Sequence, residues 1–231
     1  MIEHFELLKK LYRGKDMGTV TIILGESGTG KSCSMMNLDP EQTLLIQAIK
    51  KPLPFKSKSW KEIKKDEGGN IYVTDNAHQI VTAIQKTKKP VVVIDDFQYI
   101  MANEFMRRVL DNETGNSAFQ KYNEIAKNVW DILNAANAAE NKRVYIMSHT
   151  QTDEGGKIKV KTIGKLLDEK IVIEGMVTIV LRTAVINDNY VFRTKNSGND
   201  TVKSPVGLFD DETIPNDLAV VDKLIADYYE A

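Results

Sequence analysis

Hydrophobic residues along the chain alternate between two patterns, which are short apolar runs and repeats at helical spacing. The run at 91–97 is apolar on both faces, as a central parallel strand is. Apolar residues at helical spacing predict one helix that Pro90 ends and a longer amphipathic helix over 118–140. The predicted strands before the hairpin are 19–24, 43–49, 70–75, 91–97 and 143–150.

The C-terminal third adds a hairpin and a last helix. Residues 174–185 and 190–195 have strand composition and flank the turn segment INDN. A helix is predicted over 216–229, with Asn216 as its N-cap, and its inward residues are Leu218, Val221, Leu224 and Ile225. The pattern predicts an α/β fold with a mostly parallel central sheet, helices on both faces and a C-terminal antiparallel hairpin. We expect one domain over 1–231, with 1–18 as an N-terminal extension.

The composition of the chain disfavours several classes of protein. The chain has 231 residues, 42% hydrophobic and 27% charged, and its net charge of −1 excludes a generally polybasic protein. Cys33 is the only cysteine, so no intramolecular disulfide forms, and we expect Cys33 to be a buried helix residue without a redox role. No apolar run approaches the ~20 residues that cross a bilayer, and the charged N-terminus is no signal peptide. We therefore predict a cytoplasmic protein with no membrane partner.

A Gly-rich segment follows the first predicted strand. Residues 25–32 read GESGTGKS, which fits the pattern of a phosphate-binding loop. Its backbone N–H groups converge on phosphate, Lys31 bridges the β- and γ-phosphates of ATP, and Ser32 gives its hydroxyl to Mg²⁺. The predicted nucleotide-binding residues are Gly25, Glu26, Ser27, Gly28, Thr29, Gly30, Lys31, Ser32 and Cys33.

Polar residues end two of the later strands. Asp95 and Asp96 follow four apolar residues, which is the Walker B pattern, and Asp95 is the predicted metal residue. Asp96 either polarises the attacking water or only orders Asp95. His149 follows the strand-like run from 143 and is predicted to contact the γ-phosphate; the alternative is a hydrogen-bonded surface histidine. Lys31, Asp96 and His149 are therefore the catalytic candidates in this part of the chain.

The order of these parts resembles a RecA-like ATPase core. More closely, the segments GESGTGKS, VVVIDDFQYIMANEFMRR, SHTQTDEGGKIKVKTIGKLLDEK and KNSGNDTVKSPVGLF look like the small phage-encoded ATPases of the RecA-like/AAA type. The similarity covers about residues 19–228. The resemblance implies ATP hydrolysis with Mg²⁺, a setting of phage DNA recombination or replication in the host cytoplasm, and a single-strand-binding or annealing protein as partner.

The resemblance also implies a homo-oligomer, in which cations from a neighbouring subunit reach the γ-phosphate. The matching segment offers Arg193, Lys195 and Lys203, of which Lys195 is the catalytic candidate; the alternative is a solvated hairpin face. One departure concerns the strand after the phosphate-binding loop. RecA relatives end it with a catalytic glutamate, whereas this chain has Gln47 and Ile49 there. Either Asp96 takes that role or hydrolysis is slow.

Single-stranded DNA is expected on two loops, at about 98–118 and 152–166, because RecA-like cores bind it there. In the second loop lysines alternate, which in an extended segment puts them on one side against a phosphate backbone; the alternative is an edge strand protected by lysines. The DNA-binding candidates are Arg107, Arg108, Lys157, Lys159, Lys161 and Lys165; the alternative for Arg107 and Arg108 is a helix surface. A further stretch, 50–65, has seven lysines around Phe55 and Trp60, and it is either a base-stacking surface or a loop with a packed Trp.

Three functions are compatible with these residues. The first is a RecA-like ATPase that forms a ring or filament and acts on single-stranded DNA. The second is an ATP-gated switch or loader that binds a partner protein without DNA contact, which the missing glutamate favours. The third is a small-molecule kinase, which the sequence disfavours because the segment 33–90 contains no arginine for a lid.

Overall fold

The computed structural model describes residues 17–65, 67–110 and 117–230. Its strands are β1 (Thr19–Leu24), β2 (Thr43–Gln47), β3 (Ile71–Val73), β4 (Val91–Asp95), β5 (Arg143–Ser148), β6 (Thr150–Thr152), β7 (Ile158–Val160), β8 (Ile179–Ile186), β9 (Asn189–Arg193) and β10 (Thr213–Pro215). Its α-helices are α1 (Ala77–Lys86), α2 (Gln98–Arg107), α3 (Ser117–Asn137) and α4 (Leu218–Glu230). Short helices of other types span Ser32–Asn37, Leu166–Lys170 and Ile173–Met176.

Eight of these strands form one sheet in the order β10-β9-β8-β1-β5-β4-β2-β3. The six strands from β8 to β3 in this order are parallel to one another. β9 is antiparallel to β8, and β10 is antiparallel to β9. All five residues of β4 are buried, because the strand lies inside the sheet and both of its faces are covered. The predicted mostly parallel sheet with a late antiparallel hairpin is confirmed. β6 and β7 form a separate two-stranded sheet.

Helices cover both faces of the sheet. On one face Val92 and Ile94 pack in a cluster with residues of α1, α2 and α3. On the other face Val91 and Val93 pack with α4 and with the short helix at 32–37. Successive β-residues point to opposite faces, so the run of consecutive apolar residues in β4 supplies both cores. Within the described residues, no helix is long and apolar enough to cross a membrane.

The hairpin and the last helix agree with the sequence pattern except in two details. Asn187 and Asp188 have φ of 49° and 62°, as a type I′ turn requires, so the predicted turn is confirmed. The last helix, however, is capped by Asp217, whose Oδ1 accepts a hydrogen bond from the N–H of Ala219 at 2.9 Å, and the predicted Asn216 cap is wrong. Leu224 is also exposed, whereas the other three predicted inward residues are buried.

Two other local predictions are wrong. Residues 98–107, expected to be a loop, form α2, in which Gln98, Ile100 and Met101 are buried. The helix after the Gly-rich loop is present, as a 3-10 helix of 6 residues. Cys33 lies on the outer side of this helix and is exposed rather than buried.

Candidate functional site

A cleft of about 550 Å³ lies beyond the carboxyl ends of β1, β4 and β5. This volume is within the range of small-molecule sites. The Gly-rich loop forms one wall, and Asp96 and His149 lie at the strand ends, so the structure brings together the residues predicted for a nucleotide site. Cys33 and Met36 of the short helix after the loop also line the cleft, and more distant segments complete the lining with Lys51, Pro52, Pro54, Tyr190 and Asn216.

The Gly-rich loop is held by contacts from the other end of the chain. A Cβ atom on Gly25 would lie 1.9 Å from the hydroxyl oxygen of Thr183 in β8, so a side chain does not fit there. The hydroxyl of Thr29 is 2.6 Å from the same Thr183 hydroxyl. Gly30 has φ of 96°, and its carbonyl accepts a hydrogen bond from the Asn216 amide at 3.1 Å. The conformation of the loop therefore depends on Thr183 of β8 and on Asn216, which lies between β10 and α4.

Lys31 folds back over the loop. Its ammonium group donates hydrogen bonds to the carbonyl oxygens of Gly25 at 2.7 Å and Glu26 at 2.8 Å. Burial lowers the pKa of Lys31 to about 8, although the charges of Asp95 and Asp96 partly oppose the shift. Within the described part of the chain, this ammonium group donates to these two carbonyl oxygens alone, so an anion that enters the loop adds a full charge interaction.

Ser32 and Asp95 are in direct contact at the end of β4. The Ser32 hydroxyl donates to the Asp95 carboxylate, with Oγ 2.9 Å from Oδ2 and 3.1 Å from Oδ1. Burial, and next the charge of Asp96, raise the pKa of Asp95. Hydroxyl and carboxylate oxygens are ligands that Mg²⁺ uses together with water and substrate phosphates. Among the described residues, no cluster of three or more His, Cys, Asp or Glu could bind a metal ion by itself.

Asp96 forms an ion pair with Lys51, a residue that the sequence analysis did not place in this site. The Lys51 ammonium contacts Oδ2 of Asp96, which is almost fully buried and has an unusual φ of 60°. Burial by itself lowers the pKa of Lys51, but the hydrogen bond to Asp96 and the charge of Asp95 outweigh it, and the net pKa is raised. Lys51 follows β2, whose carboxyl end lies beside that of β4, and this position was its only sequence signal.

His149 begins the segment that follows β5. The preceding Ser148 carbonyl accepts a hydrogen bond from the Gly25 N–H at 3.2 Å, and the His149 N–H donates to Oε1 of Gln98 at 3.2 Å. Burial and the nearby charge of Lys31 lower the pKa of the His149 imidazole, so the ring is neutral at pH 7. A neutral ring that lines the cleft can donate one hydrogen bond to a ligand oxygen.

The three predicted trans-acting cations do not line the cleft of their own chain. Lys195 is exposed and donates to the carbonyl oxygen of Asp210 at 2.6 Å. Arg193 is in register with Thr213 and Arg182 on the antiparallel edge of the sheet. Lys203 pairs its backbone with Val180. Their action on a neighbouring subunit stays a prediction.

The DNA-binding candidates divide into two groups. Four of them have acidic partners: Arg107 contacts Asp75 and Glu104, Arg108 contacts Glu124, Lys159 contacts Asp168, and Lys165 contacts Glu169. Lys157 and Lys161 are exposed, and no described acidic residue forms a salt bridge with either. The predicted row of three free lysines is therefore interrupted, because the middle one, Lys159, is half-buried against Asp168.

The basic stretch 50–65 does not present its tryptophan to solvent. Trp60 is 8% exposed, and its ring lies edge-on to Phe55 with centroids 6.3 Å apart. Trp60 belongs to the core on the α4 face of the sheet. Base stacking on Trp60 is excluded by this burial, and the alternative of a loop with a packed Trp is confirmed.

No protein-family model matches the chain, and no curated protein matches it either. The function is therefore inferred from the geometry and the charges of the cleft.

Proposed function

We propose that the protein is a Mg²⁺-dependent ATPase with a RecA-like core, which acts on single-stranded DNA. One observation carries the ATPase part: Ser32, which lines the cleft beside the buried Lys31, is hydrogen-bonded to the buried carboxylate of Asp95. A lysine, a hydroxyl and a carboxylate placed together beside a glycine-rich loop are the groups that binding of a triphosphate and Mg²⁺ requires.

The residues act on ATP in distinct ways. The N–H groups of the Gly-rich loop and the Lys31 ammonium bind the phosphates, and Lys31 gives up its two carbonyl partners as it does so. Ser32 and Asp95 provide oxygen ligands for Mg²⁺, which when bound offsets the negative charge that accumulates on the phosphates. Asp96 accepts the proton of the attacking water, and His149 donates a hydrogen bond to the γ-phosphate.

The RecA-like part of the proposal is supported by the order of the strands. β5 lies between β1 and β4, so His149 stands between the Gly-rich loop and the two aspartates. A residue in this position contacts the γ-phosphate and also leads directly into β6 and β7, and Lys157 and Lys161 flank β7 on either side. Loss of the γ-phosphate contact at His149 can thus change the conformation of the proposed DNA-binding segment, because that segment directly follows His149.

The proposed active site is completed by a neighbouring subunit in a homo-oligomer. Arg193, Lys195 and Lys203 lie away from the cleft of their own chain, and a neighbour in a ring or filament brings them to it. An arginine supplied in trans is worth ~10³–10⁵ in rate, so we expect slow hydrolysis by the monomer. Molecular mass in solution, measured with and without a nonhydrolysable ATP analogue and an oligonucleotide, tests the assembly.

The ATPase part is tested by phosphate release from purified protein with ATP, in Mg²⁺ and in EDTA. We expect slow Mg²⁺-dependent release that Lys31→Ala abolishes and that the matched variant Lys56→Ala, an exposed lysine outside the cleft lining, leaves unchanged. A rate that is the same in EDTA, or that survives Lys31→Ala, contradicts the proposal.

The DNA part is tested by the salt dependence of binding to a single-stranded oligonucleotide. The double variant Lys157→Gln/Lys161→Gln is expected to bind more weakly and to reduce the slope of log K against log salt by roughly 1.4, since each phosphate contact on a single strand contributes about 0.7. The matched control is Lys223→Gln, which removes an exposed lysine of α4. An unchanged slope supports the second candidate function.

That second candidate is an ATP-gated switch or loader that binds a partner protein without DNA contact. Two observations favour it: four of the six DNA-binding candidates are ion-paired, and no carboxylate follows β2. Binding of Mg²⁺ and ATP with no measurable hydrolysis and no DNA affinity is its expected result.

A further inference from the structure

We propose that Lys51 is a catalytic residue that the chain supplies to its own γ-phosphate, and that it reaches the phosphate by leaving Asp96. The inference rests on the proposed ATPase function. It assigns to the loop after β2 a role in the cleft, in place of the DNA contact considered for the basic stretch 50–65.

The position of Lys51 supports a ligand contact. Two lysines line the cleft among its described residues, Lys31 on the Gly-rich loop and Lys51 on the loop after β2. The ammonium group of Lys51 contacts Asp96 Oδ2, and its side chain is 39% exposed whereas that of Asp96 is 6% exposed. Lys51 therefore lies between the buried carboxylate and the open space of the cleft, with freedom to move outward.

The buried end of β2 holds this lysine in place. Gln47, the last residue of β2, is 3% exposed and donates a hydrogen bond from its amide to the carbonyl oxygen of Lys51 at 3.2 Å. The residues after Lys51 are Pro52, Leu53 and Pro54, and the two prolines limit the backbone conformations of the loop. Gln47 is thus a positioning residue that acts through Lys51, at a strand end where a carboxylate was expected.

The ion pair with Lys51 also determines whether Asp96 can accept a hydrogen bond from water. While Lys51 contacts Oδ2 of Asp96, that oxygen is occupied and is not available to an attacking water. The γ-phosphate carries more negative charge than Asp96 and competes with it for Lys51. Once Lys51 contacts the γ-phosphate, the Asp96 carboxylate is free to accept a hydrogen bond from water.

Hydrolysis then occurs by attack of a water molecule on the γ-phosphate. The water oxygen forms a bond to the γ-phosphorus while the bond from that phosphorus to the β,γ-bridging oxygen breaks and ADP leaves. The proton of the water passes to Asp96 and then to solvent. The Lys51 ammonium keeps its proton throughout and offsets the negative charge on the γ-phosphate oxygens. After phosphate leaves, Lys51 returns to Asp96.

The test compares Lys51→Met with the matched variant Lys56→Met, which removes an exposed lysine from the same loop. Two quantities are measured with Mg²⁺ and without DNA: the ratio of the dissociation constants for ADP and for a nonhydrolysable ATP analogue, and kcat. We expect Lys51→Met to lower the preference for the analogue by roughly tenfold and kcat by about 10²-fold, the scale of one lost charge-stabilising contact. Lys56→Met is expected to match the wild type.

A purely structural ion pair gives a different result. In that case Lys51→Met lowers the midpoint of thermal unfolding but leaves the nucleotide preference and kcat unchanged, and this outcome overturns the proposal. Lys51→Arg retains the charge and is expected to keep most of the nucleotide preference. If Lys51→Met does not fold, Gln47→Leu, which releases the Lys51 backbone, is expected to lower the same preference to a smaller extent. An unchanged preference in folded Gln47→Leu then overturns the proposal.

Failure of this inference is distinguishable from failure of the proposed function. If the wild-type protein does not bind ATP with Mg²⁺, both fail. If it binds and hydrolyses ATP and Lys31→Ala abolishes hydrolysis, while Lys51→Met behaves as the wild type, only the role of Lys51 is overturned.

Discussion

The side chains of Ser32 and Asp95 are hydrogen-bonded although they are 63 positions apart in the chain. β1 and β4 are parallel, and β5 lies between them, so both end at the same edge of the sheet. The Gly-rich loop leaves the end of β1 and carries Ser32 across the end of β5 to Asp95. Two residues that the sequence suggested as metal ligands are therefore placed to share one cation.

Replacement of the Ser32 hydroxyl tests this pair. Ser32→Ala removes an oxygen ligand, and a contact to a charged group is worth about 1.5–3 kcal/mol, so we expect ATP affinity in Mg²⁺ to fall roughly 10–100-fold. Affinity in EDTA is expected to change little. Ser32→Thr, which keeps the hydroxyl, is the control. Equal losses in Mg²⁺ and EDTA contradict a role in metal binding.

The pH dependence of ATP binding tests the state of Lys31. In the free protein the pKa of Lys31 is lowered to about 8, chiefly by burial, and bound phosphate favours the charged form and raises that pKa. Protonated Lys31 is therefore lost from the free protein as the pH rises through 8. We expect the association constant for ATP to be level below about pH 7 and to fall above pH 8, towards tenfold per pH unit.

This measurement is made by calorimetry on the wild-type protein at pH 7 to 9.5. Proton uptake on binding at pH 9 is the second readout. In Lys31→Met the residual affinity is expected to lose this pH dependence. A wild-type affinity that is level up to pH 9.5 contradicts the lowered pKa.

Two glycines of the loop are expected to differ in their tolerance of alanine. Gly28 and Gly30 both have φ in the left-handed region, at 80° and 96°. A Cβ on Gly30 would lie 2.1 Å from the Asn216 amide nitrogen, whereas a Cβ on Gly28 meets nothing within 4 Å. Gly28→Ala is expected to cost about 1–2 kcal/mol of backbone strain, and Gly30→Ala more than that.

Thermal unfolding and ATP affinity of both variants provide the comparison. Asn216→Ala in the Gly30→Ala background is expected to restore part of the loss, because it removes the clashing amide while the backbone strain remains. If Gly28→Ala and Gly30→Ala are equally destabilised, the steric contact with Asn216 does not add to the loss at position 30, and the prediction is wrong.

The contacts that attach α4 to the sheet are expected to contribute to the free energy of unfolding. Asp222 of α4 accepts hydrogen bonds from Arg143 at 2.6 Å and 3.0 Å and from the wholly buried hydroxyl of Tyr145 at 2.6 Å. Burial, and next the charge of Asp222, raise the pKa of Tyr145 well above its usual value. Asp222→Ala removes these hydrogen bonds and leaves the wholly buried Tyr145 hydroxyl without this acceptor, which costs about 1–3 kcal/mol.

Chemical denaturation measures this loss. The matched control Asp227→Ala removes an exposed carboxylate from the same helix and is expected to change the free energy of unfolding by less than about 0.5 kcal/mol. Because no described residue of α4 lines the cleft, the ATP affinity of folded Asp222→Ala is expected to stay near that of the wild type. A loss of stability no larger than that of Asp227→Ala contradicts the proposed attachment.

Local patterns determined most of the sheet. The apolar runs at 19–24, 91–97 and 143–150 predicted β1, β4 and β5 to within two residues at each end, because buried parallel strands are apolar on both faces. The spacing of apolar residues over 118–140 likewise predicted α3. α2 was missed because its mixed polar sequence lacks a strong helical repeat and the resemblance suggested a loop.

The sequence by itself determined the chemical groups of the site, since a phosphate-binding loop and paired aspartates are local signatures that carry their own chemistry. Only the tertiary structure decided their partners. It placed Lys51 against Asp96, directed Asn216 to the carbonyl of Gly30 across 186 positions, and buried Trp60 in the core. These contacts arise from strand order and from the packing of distant segments, and the pattern of residues along the chain does not encode either of them locally.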